Sequence, residues 1–389
     1  MKRTIAVVTS SRADYSHLYW PLKDLAAHPG VDLKLIVLAA HLSPAFGNTV
    51  DEIARDGFSI ASRIECLLDS DTDTGMAKTL GLAVLGLTDA LSQMRPDLLL
   101  LIADRYEMLA PASVALTLRI PVAHIEGGEV SEGAIDDAVR NALTKMAHIH
   151  FTSTDGARAR VISMGEEPWR VHRAGAPSLD HITRSRLPTR SELQQALKID
   201  LKPSPTVVAY HPVTLLQNTT EEADALFAAL AQIDGQIIFC YPNADAGSHS
   251  LMQRTHEFIR QHPDAHVFVN LGAVTYWSLL QNAGLLLGNS SSGIMEAASL
   301  GLPVVNVGLR QFGRERALNI LDAEPNAASI LEKLATARST AFRDSLRGMT
   351  NPYGDGHAAE RIVQVLTSIP LGGLLRKRAY PEDGQSKRP

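Results

Sequence analysis

The chain predicts an α/β protein of two doubly wound domains, and three observations predict it. At 389 residues it is longer than one hydrophobic core ordinarily serves. Short apolar runs alternate with longer amphipathic stretches from the start, as a parallel sheet covered by helices requires. The alternation completes one cycle, is interrupted over 184–205 by Pro188, Pro203 and Pro205, and then begins again.

The first strand is expected at 5–8; it gives way at once to Thr9, Ser10, Ser11 and Arg12, too soon for the apolar core of a signal peptide. Residues 33–38, 98–102 and 122–125 are the next buried strands. Between them 18–27, 76–94 and 138–147 place apolar residues at three- and four-residue spacing, as helices covering a sheet face do. The second cycle has strands at 207–210, 237–241, 267–269, 285–287 and 304–307. The turn Pro352-Tyr353-Gly354-Asp355-Gly356 precedes a last helix at 357–368. The expected domains are 1–187 and 188–351, followed by a C-terminal helical segment, 352–370, and a polar tail, 371–389, expected to be mobile.

A hydrophobic content of 45% with 20% charged residues is that of a folded globular chain. The net charge of −5 provides no broad basic field, which argues against a nucleic-acid partner or an anionic membrane surface. Cys66 and Cys240 stand far apart with no ligand-spaced neighbours, so no disulfide or metal site is expected and a reducing cytoplasm fits. No stretch reaches the roughly 20 apolar residues of a membrane span; 82–91 is broken by Gly86, Thr88 and Asp89.

Doubly wound sheets bind ligands beyond the carboxyl ends of their strands, so the chemistry is sought just after each apolar run. Ser10-Ser11-Arg12-Ala13-Asp14-Tyr15 follows the first strand, where backbone N–H groups and Arg12 could meet a phosphate; the competing reading makes Asp14 a helix cap. Asp104-Arg105-Tyr106-Glu107 ends a very apolar strand, and a local Asp–Arg ion pair plus a helix cap is its plain alternative. The next strand ends at His124-Ile125-Glu126-Gly127-Gly128-Glu129, and two adjacent acidic turns suggest a site. Asp136 and Asp137 open a helix, where one carboxylate favours the helix dipole and the other is available for proton transfer.

In the second half, His211 and the 241–248 turn containing Asn243 each follow a strand. Gly288-Asn289-Ser290-Ser291-Ser292-Gly293 runs from a buried strand into a helix, and its small side chains would let a diphosphate approach the helix N–H groups; an ordinary serine-capped helix is the plain alternative. Glu296 could accept ribose hydroxyls and Arg310 could reach a phosphate. A Walker lysine and a dinucleotide glycine fingerprint are both missing, which disfavours an NTPase or a nicotinamide enzyme.

Taken in order, Ser11-Arg12-Ala13-Asp14-Tyr15, Asp104-Arg105-Tyr106-Glu107, His124 to Glu129, Ile135-Asp136-Asp137, His211-Pro212-Val213, Asn243 to Ser248, Gly288 to Gly293 and Arg310-Gln311 make the chain resemble the hydrolysing UDP-N-acetylglucosamine 2-epimerases over roughly 3–370. The resemblance implies two Rossmann-like domains in a glycosyltransferase-B-like arrangement with an interdomain cleft. It assigns the UDP moiety to Arg12, Arg105, His211, Asn243, Ser290, Ser291, Glu296 and Arg310, and catalysis to Asp104, Glu126, Asp136 and His211. It implies a UDP-sugar substrate, no metal or other cofactor, and a homodimer or homotetramer.

The implied reaction turns UDP-N-acetylglucosamine and water into N-acetylmannosamine and UDP, as in sialic-acid biosynthesis, by elimination to a glycal and rehydration. The same reaction on UDP-N,N'-diacetylbacillosamine or another diacetamido sugar is the first alternative. A non-hydrolysing epimerase and a glycosyltransferase are the others; Glu126-Gly127-Gly128-Glu129 argues against the former, whose members resemble His-Val-Glu-Ala-Gly there.

Overall fold

The structure, a computed structural model, describes every residue except 1, 69, 71, 133, 214–221, 241–247, 270 and 381–389. Its contacts divide the chain into two units. Unit 1 comprises Met1–Glu129, Asp136–Asp180 and Tyr353–Pro389; unit 2 comprises Val130–Ile135 and His181–Pro352. The division falls at residues 180/181, where 187/188 was expected, and the last helix belongs to unit 1.

Unit 1 holds seven parallel strands: β1 (Arg3–Thr9), β2 (Val31–Leu38), β3 (Ile60–Ile64), β4 (Leu98–Ile102), β5 (Val122–Ile125), β6 (Ile149–Thr152) and β7 (Val171–Arg173), in the order β3-β2-β1-β4-β5-β6-β7. The helices α1 (Arg12–Ala27), α2 (Val50–Arg55), α3 (Asp73–Met94), α4 (Leu109–Leu118), α5 (Asp136–Met146) and α6 (Asp155–Ser163) connect them. All five residues of β4 are fully buried because both sheet faces are covered. Ile5, Val7, Leu98, Leu100 and Ile102 pack with Leu18 and Leu22 of α1 and with Ile362 and Leu366 of the last helix. Their alternates Ala6, Val8, Leu99 and Leu101 pack with Leu87 and Leu91 of α3 and Leu143 of α5. Each buried leucine contributes about 1.5–3 kcal/mol to this core.

The last helix, Ala358–Ser368, has no side-chain cap of its own. The buried Asp180 takes that role from far along the chain: its two carboxylate oxygens accept the N–H groups of Ala358 and Ala359, both at 2.8 Å.

Part of the tail expected to be mobile is tied to unit 1 by hydrogen bonds. Buried Arg170 donates to the carbonyls of Leu374 (3.0 Å) and Arg376 (2.8 Å). Lys377 donates to the carbonyls of Lys145 (2.7 Å) and Ala147 (2.9 Å) and to the Glu166 carboxylate (2.8 Å). A buried guanidinium and a buried carboxylate both require partners, and the tail supplies them. Burial alone would raise the Glu166 carboxyl, but hydrogen bonds from His150, Lys145 and Lys377 outweigh it and hold it down to about 2. The cluster therefore stabilises the fold fully above the ordinary value of 4.5 and loses that contribution as pH falls toward 2. Lys377→Met is expected to cost about 1–3 kcal/mol in urea unfolding at pH 7. It should also flatten the acid limb of the stability profile below pH 4.5; an unchanged limb would remove Lys377 from the cause of the Glu166 shift.

Unit 2 holds six parallel strands: β8 (Thr206–Ala209), β9 (Ile237–Cys240), β10 (Ala265–Phe268), β11 (Leu285–Gly288), β12 (Val304–Val307) and β13 (Ile320–Ala323), in the order β10-β9-β8-β11-β12-β13. Val208, Leu285, Leu287, Val305 and Val307 face one cluster, and Val207, Ala209, Leu286 and Val304 the other. Val130–Ile135 belongs to this unit because Arg314 Nε donates to the Val130 carbonyl (3.1 Å) and the Glu132 N–H donates to the Phe312 carbonyl (3.2 Å). Among the described residues no helix is long and apolar enough to cross a membrane, and no cluster of metal-ligating side chains occurs.

Candidate functional site

In each sheet the strand order reverses once, at β1/β4 in unit 1 and at β8/β11 in unit 2. At such a point neighbouring connections leave in opposite directions and open a crevice at the carboxyl edge. The residues singled out from sequence cluster in the turns around these two points. Asn243 lies outside the described residues.

In unit 1, the turn after β1 resolves one open reading. The Asp14 carboxylate accepts from the N–H of Ser10 (2.8 Å) and of Ser11 (2.7 Å), and both serine hydroxyls donate to it. These two N–H groups are taken up by Asp14, as the helix-cap reading has it. Arg12 stands at the first position of α1, with Nε 3.5 Å from the Glu52 carboxylate of α2. Buried His41 bridges Thr9 (2.9 Å) and Thr49 (2.7 Å), tying the end of β1 to the start of α2. Burial pushes His41 down to about 4, so this bridge is neutral at physiological pH.

The turns after β4 and β5 carry the acids. Ala103, with φ +59°, and Glu126, with φ +65°, are both left-handed, a conformation that costs a non-glycine residue roughly 1–2 kcal/mol. Strain of this kind is kept where surrounding structure enforces it, and it concentrates at functional sites. Asp104 pairs with Arg140 of α5. Arg140, 1% exposed, also donates to the Glu129 carbonyl (3.0 Å) and lies 3.6 Å from Asp137. One buried guanidinium thus gathers the β4 turn, the loop after β5 and the first turn of α5, which Asp136 opens. Glu126 accepts from His17 Nδ1 of α1 at 2.7 Å. Arg105 makes two hydrogen bonds to buried Glu107, at 3.0 and 3.2 Å, while Asp104 pairs with Arg140, so the partners differ from the Asp–Arg pair expected within the turn.

The sequence reading gave no role to Arg140 or His17. Arg140 had a legible signal: Val139, Arg140, Leu143 and Thr144 form the buried face of α5, and a charged residue there needs a buried partner. His17 had none, since its partner is 109 residues away.

In unit 2, Asn289 joins the two turns of the switch point. Its Oδ1 accepts the His211 N–H (2.7 Å) and its Nδ2 donates to the His211 carbonyl (2.9 Å). The approach of β11 to β8 demands a glycine just before: at Gly288, with φ +141°, a Cβ would lie 2.1 Å from the Ala209 carbonyl oxygen. Arg310 Nη1 (3.3 Å) and Gln311 Nε2 (2.9 Å) donate to the Asn289 carbonyl, holding the loop after β12 against the turn. Ser290 caps the short helix Ser291–Met295 by accepting the Ser292 N–H, and Ser292 is hydrogen-bonded to Tyr276 (2.7 Å). Ser290 and Ser291 are half-buried. Glu296 is buried at the end of that helix. The result is a polar turn with His211, Ser290, Ser291 and Arg310 around it, suited to an anionic ligand.

The family model described as UDP-N-acetylglucosamine 2-epimerase matches residues 23–367. The UDP-N,N'-diacetylbacillosamine 2-epimerase (hydrolyzing) of Legionella pneumophila is 39% identical, over 95% of this chain and 97% of its own. The GDP/UDP-N,N'-diacetylbacillosamine 2-epimerase (hydrolyzing) of Campylobacter jejuni is 35% identical, over 97% and 98%. Among solved structures, the UDP-GlcNAc 2-epimerase of Neisseria meningitidis bound to UDP-GlcNAc superposes with a TM-score of 0.78 at 17% identity, covering 93% of this chain and 99% of that one.

Proposed function

Because the chain belongs to the UDP-N-acetylglucosamine 2-epimerase family, we propose that it is a hydrolysing 2-epimerase whose substrate is UDP-N,N'-diacetylbacillosamine, released as UDP and the free sugar inverted at carbon 2. The expectation of UDP-N-acetylglucosamine as substrate gives way on one observation: the two relatives at 39% and 35% identity, matched over nearly their full lengths, are both diacetamido-sugar enzymes.

The acidic turns support the reaction class. A base takes the proton from carbon 2 while the bond from carbon 1 to the UDP oxygen breaks, leaving a double bond between carbons 1 and 2. Water then adds at carbon 1 and a proton returns to carbon 2 on the opposite face. Two positioned proton-transfer groups are needed, each worth about 10²–10⁴-fold. Asp104, Glu126 and Asp136 are assigned to this work, with Arg140 and His17 fixing the first two. The departing diphosphate requires cationic and N–H stabilisation, a role assigned with nucleotide binding to Arg12, Arg105, His211, Asn243, Ser290, Ser291, Glu296 and Arg310. His211 is the residue assigned to both tasks.

UDP release from the two sugar nucleotides tests the substrate. A kcat/KM for UDP-N,N'-diacetylbacillosamine at least about 100-fold above that for UDP-N-acetylglucosamine is expected, since a site with polar groups for the second acetamido rejects the analogue lacking it. The reverse ratio would restore the simpler sugar.

A further inference from the structure

Resting on the reaction proposed above, we infer that His124 is a positioning residue, whose Nε2–H bond to the Ala103 carbonyl sets the turn that presents Asp104. His124 sits on β5, fully buried, with Nε2 2.7 Å from that oxygen. A carbonyl only accepts, so Nε2 carries the proton. Burial pushes the ring down to about 4, which leaves it neutral and this tautomer fixed at physiological pH.

Ala103 is the first residue beyond β4, and it is left-handed. Its N–H donates to the Ile125 carbonyl at 2.9 Å, carrying the β4/β5 ladder one step past the strand. Where the backbone turns away, the His124 ring takes over and closes the carbonyl side. Both polar groups of Ala103 are therefore held by β5, and the next residue is Asp104.

The opposite edge of the ring reaches toward the second anchor of Asp104. A Cβ on residue 127 would lie 3.1 Å from both His124 Nδ1 and Thr144 Oγ1, so glycine there leaves room for both groups. Thr144 is on α5, one turn beyond Arg140, and donates to the Arg140 carbonyl at 2.9 Å. Among the described residues Nδ1 meets no hydrogen-bond partner, and the ring's one polar bond to them is the one to Ala103. The imidazole thus stands between the backbone that carries Asp104 and the helix that supplies its guanidinium.

Three variants test this. His124→Gln keeps an N–H at the reach of Nε2, His124→Met fills the space without a donor, and His124→Asn carries a donor too short to reach Ala103. With UDP-N,N'-diacetylbacillosamine, kcat is expected to fall about 10- to 100-fold for Met and Asn with KM changed less than about threefold, the size of effect an ångström of misplacement has. Gln is expected to recover to within about fivefold of the wild type. A crystal structure of the Met variant, or of the Asn variant should Met not fold, is expected to show Ala103 out of the left-handed region and Asp104 parted from Arg140. Wild-type kcat in both Met and Asn, or equal losses in all three variants with the turn unmoved, would overturn the inference. Should the wild type itself release no UDP, the proposed reaction falls, and the crystal structure alone decides the role of His124: an unmoved turn would overturn it.

Discussion

Asp104→Asn is expected to lower kcat by about 10²–10⁴-fold while changing UDP affinity by less than about threefold. The substitution is nearly isosteric, and the amide oxygen can still accept from Arg140, so the turn after β4 should keep its shape. What is lost is a carboxylate able to take or return the carbon 2 proton. Binding of UDP, measured by calorimetry, reports on groups assigned to a different task and should hold. Parallel losses in turnover and UDP affinity would make Asp104 a structural partner of Arg140 and nothing more.

Arg140→Met is expected to destabilise the protein by about 3–5 kcal/mol, the range for removing one side of a buried charge pair. The side chain is 1% exposed, and its loss would leave Asp104 without its cation, Asp137 without its 3.6 Å neighbour, and the Glu129 carbonyl without its donor. Turnover should fall with it, since the loop after β5 and the first turn of α5 are held by the same group. Arg140→Lys should recover only part of either loss, because a single ammonium cannot reproduce a fork of donors. In a double-mutant cycle with Asp104→Asn, the two effects should couple by roughly 0.5–3 kcal/mol. Additive effects, or a Met variant as stable as the wild type in urea, would show that Arg140 does not gather these turns.

The parts of the fold legible in the sequence were those where burial is complete. Strands 98–102, 122–125 and 304–307 coincide with β4, β5 and β12 because each lies inside its sheet and reads as a continuous apolar run. β3, β7 and β13 escaped because they are edge strands, where the half-buried Ser62 and the exposed Arg63, Arg173 and Asp322 are admitted. β6 escaped for the opposite reason, since its interior position buries His150 and Thr152. The acidic turns could be found because they follow apolar strands directly. How they are held could not, because Asp104 to Arg140, Glu126 to His17 and Asn289 to His211 are contacts between distant segments. Asp14 shows the limit of local pattern: its spacing from Ser11 fits a helix cap and a phosphate loop alike, and only the hydrogen bonds separate the two.

The proposal stands or falls on where the proton at carbon 2 comes from and what becomes of UDP. Proton NMR of the wild-type enzyme turning over UDP-N,N'-diacetylbacillosamine in D₂O reads both at once. The account predicts free UDP, a free sugar of inverted configuration, and deuterium in place of hydrogen at its carbon 2. An epimerised sugar still attached to UDP, or a released sugar that keeps its original hydrogen at carbon 2, would contradict it.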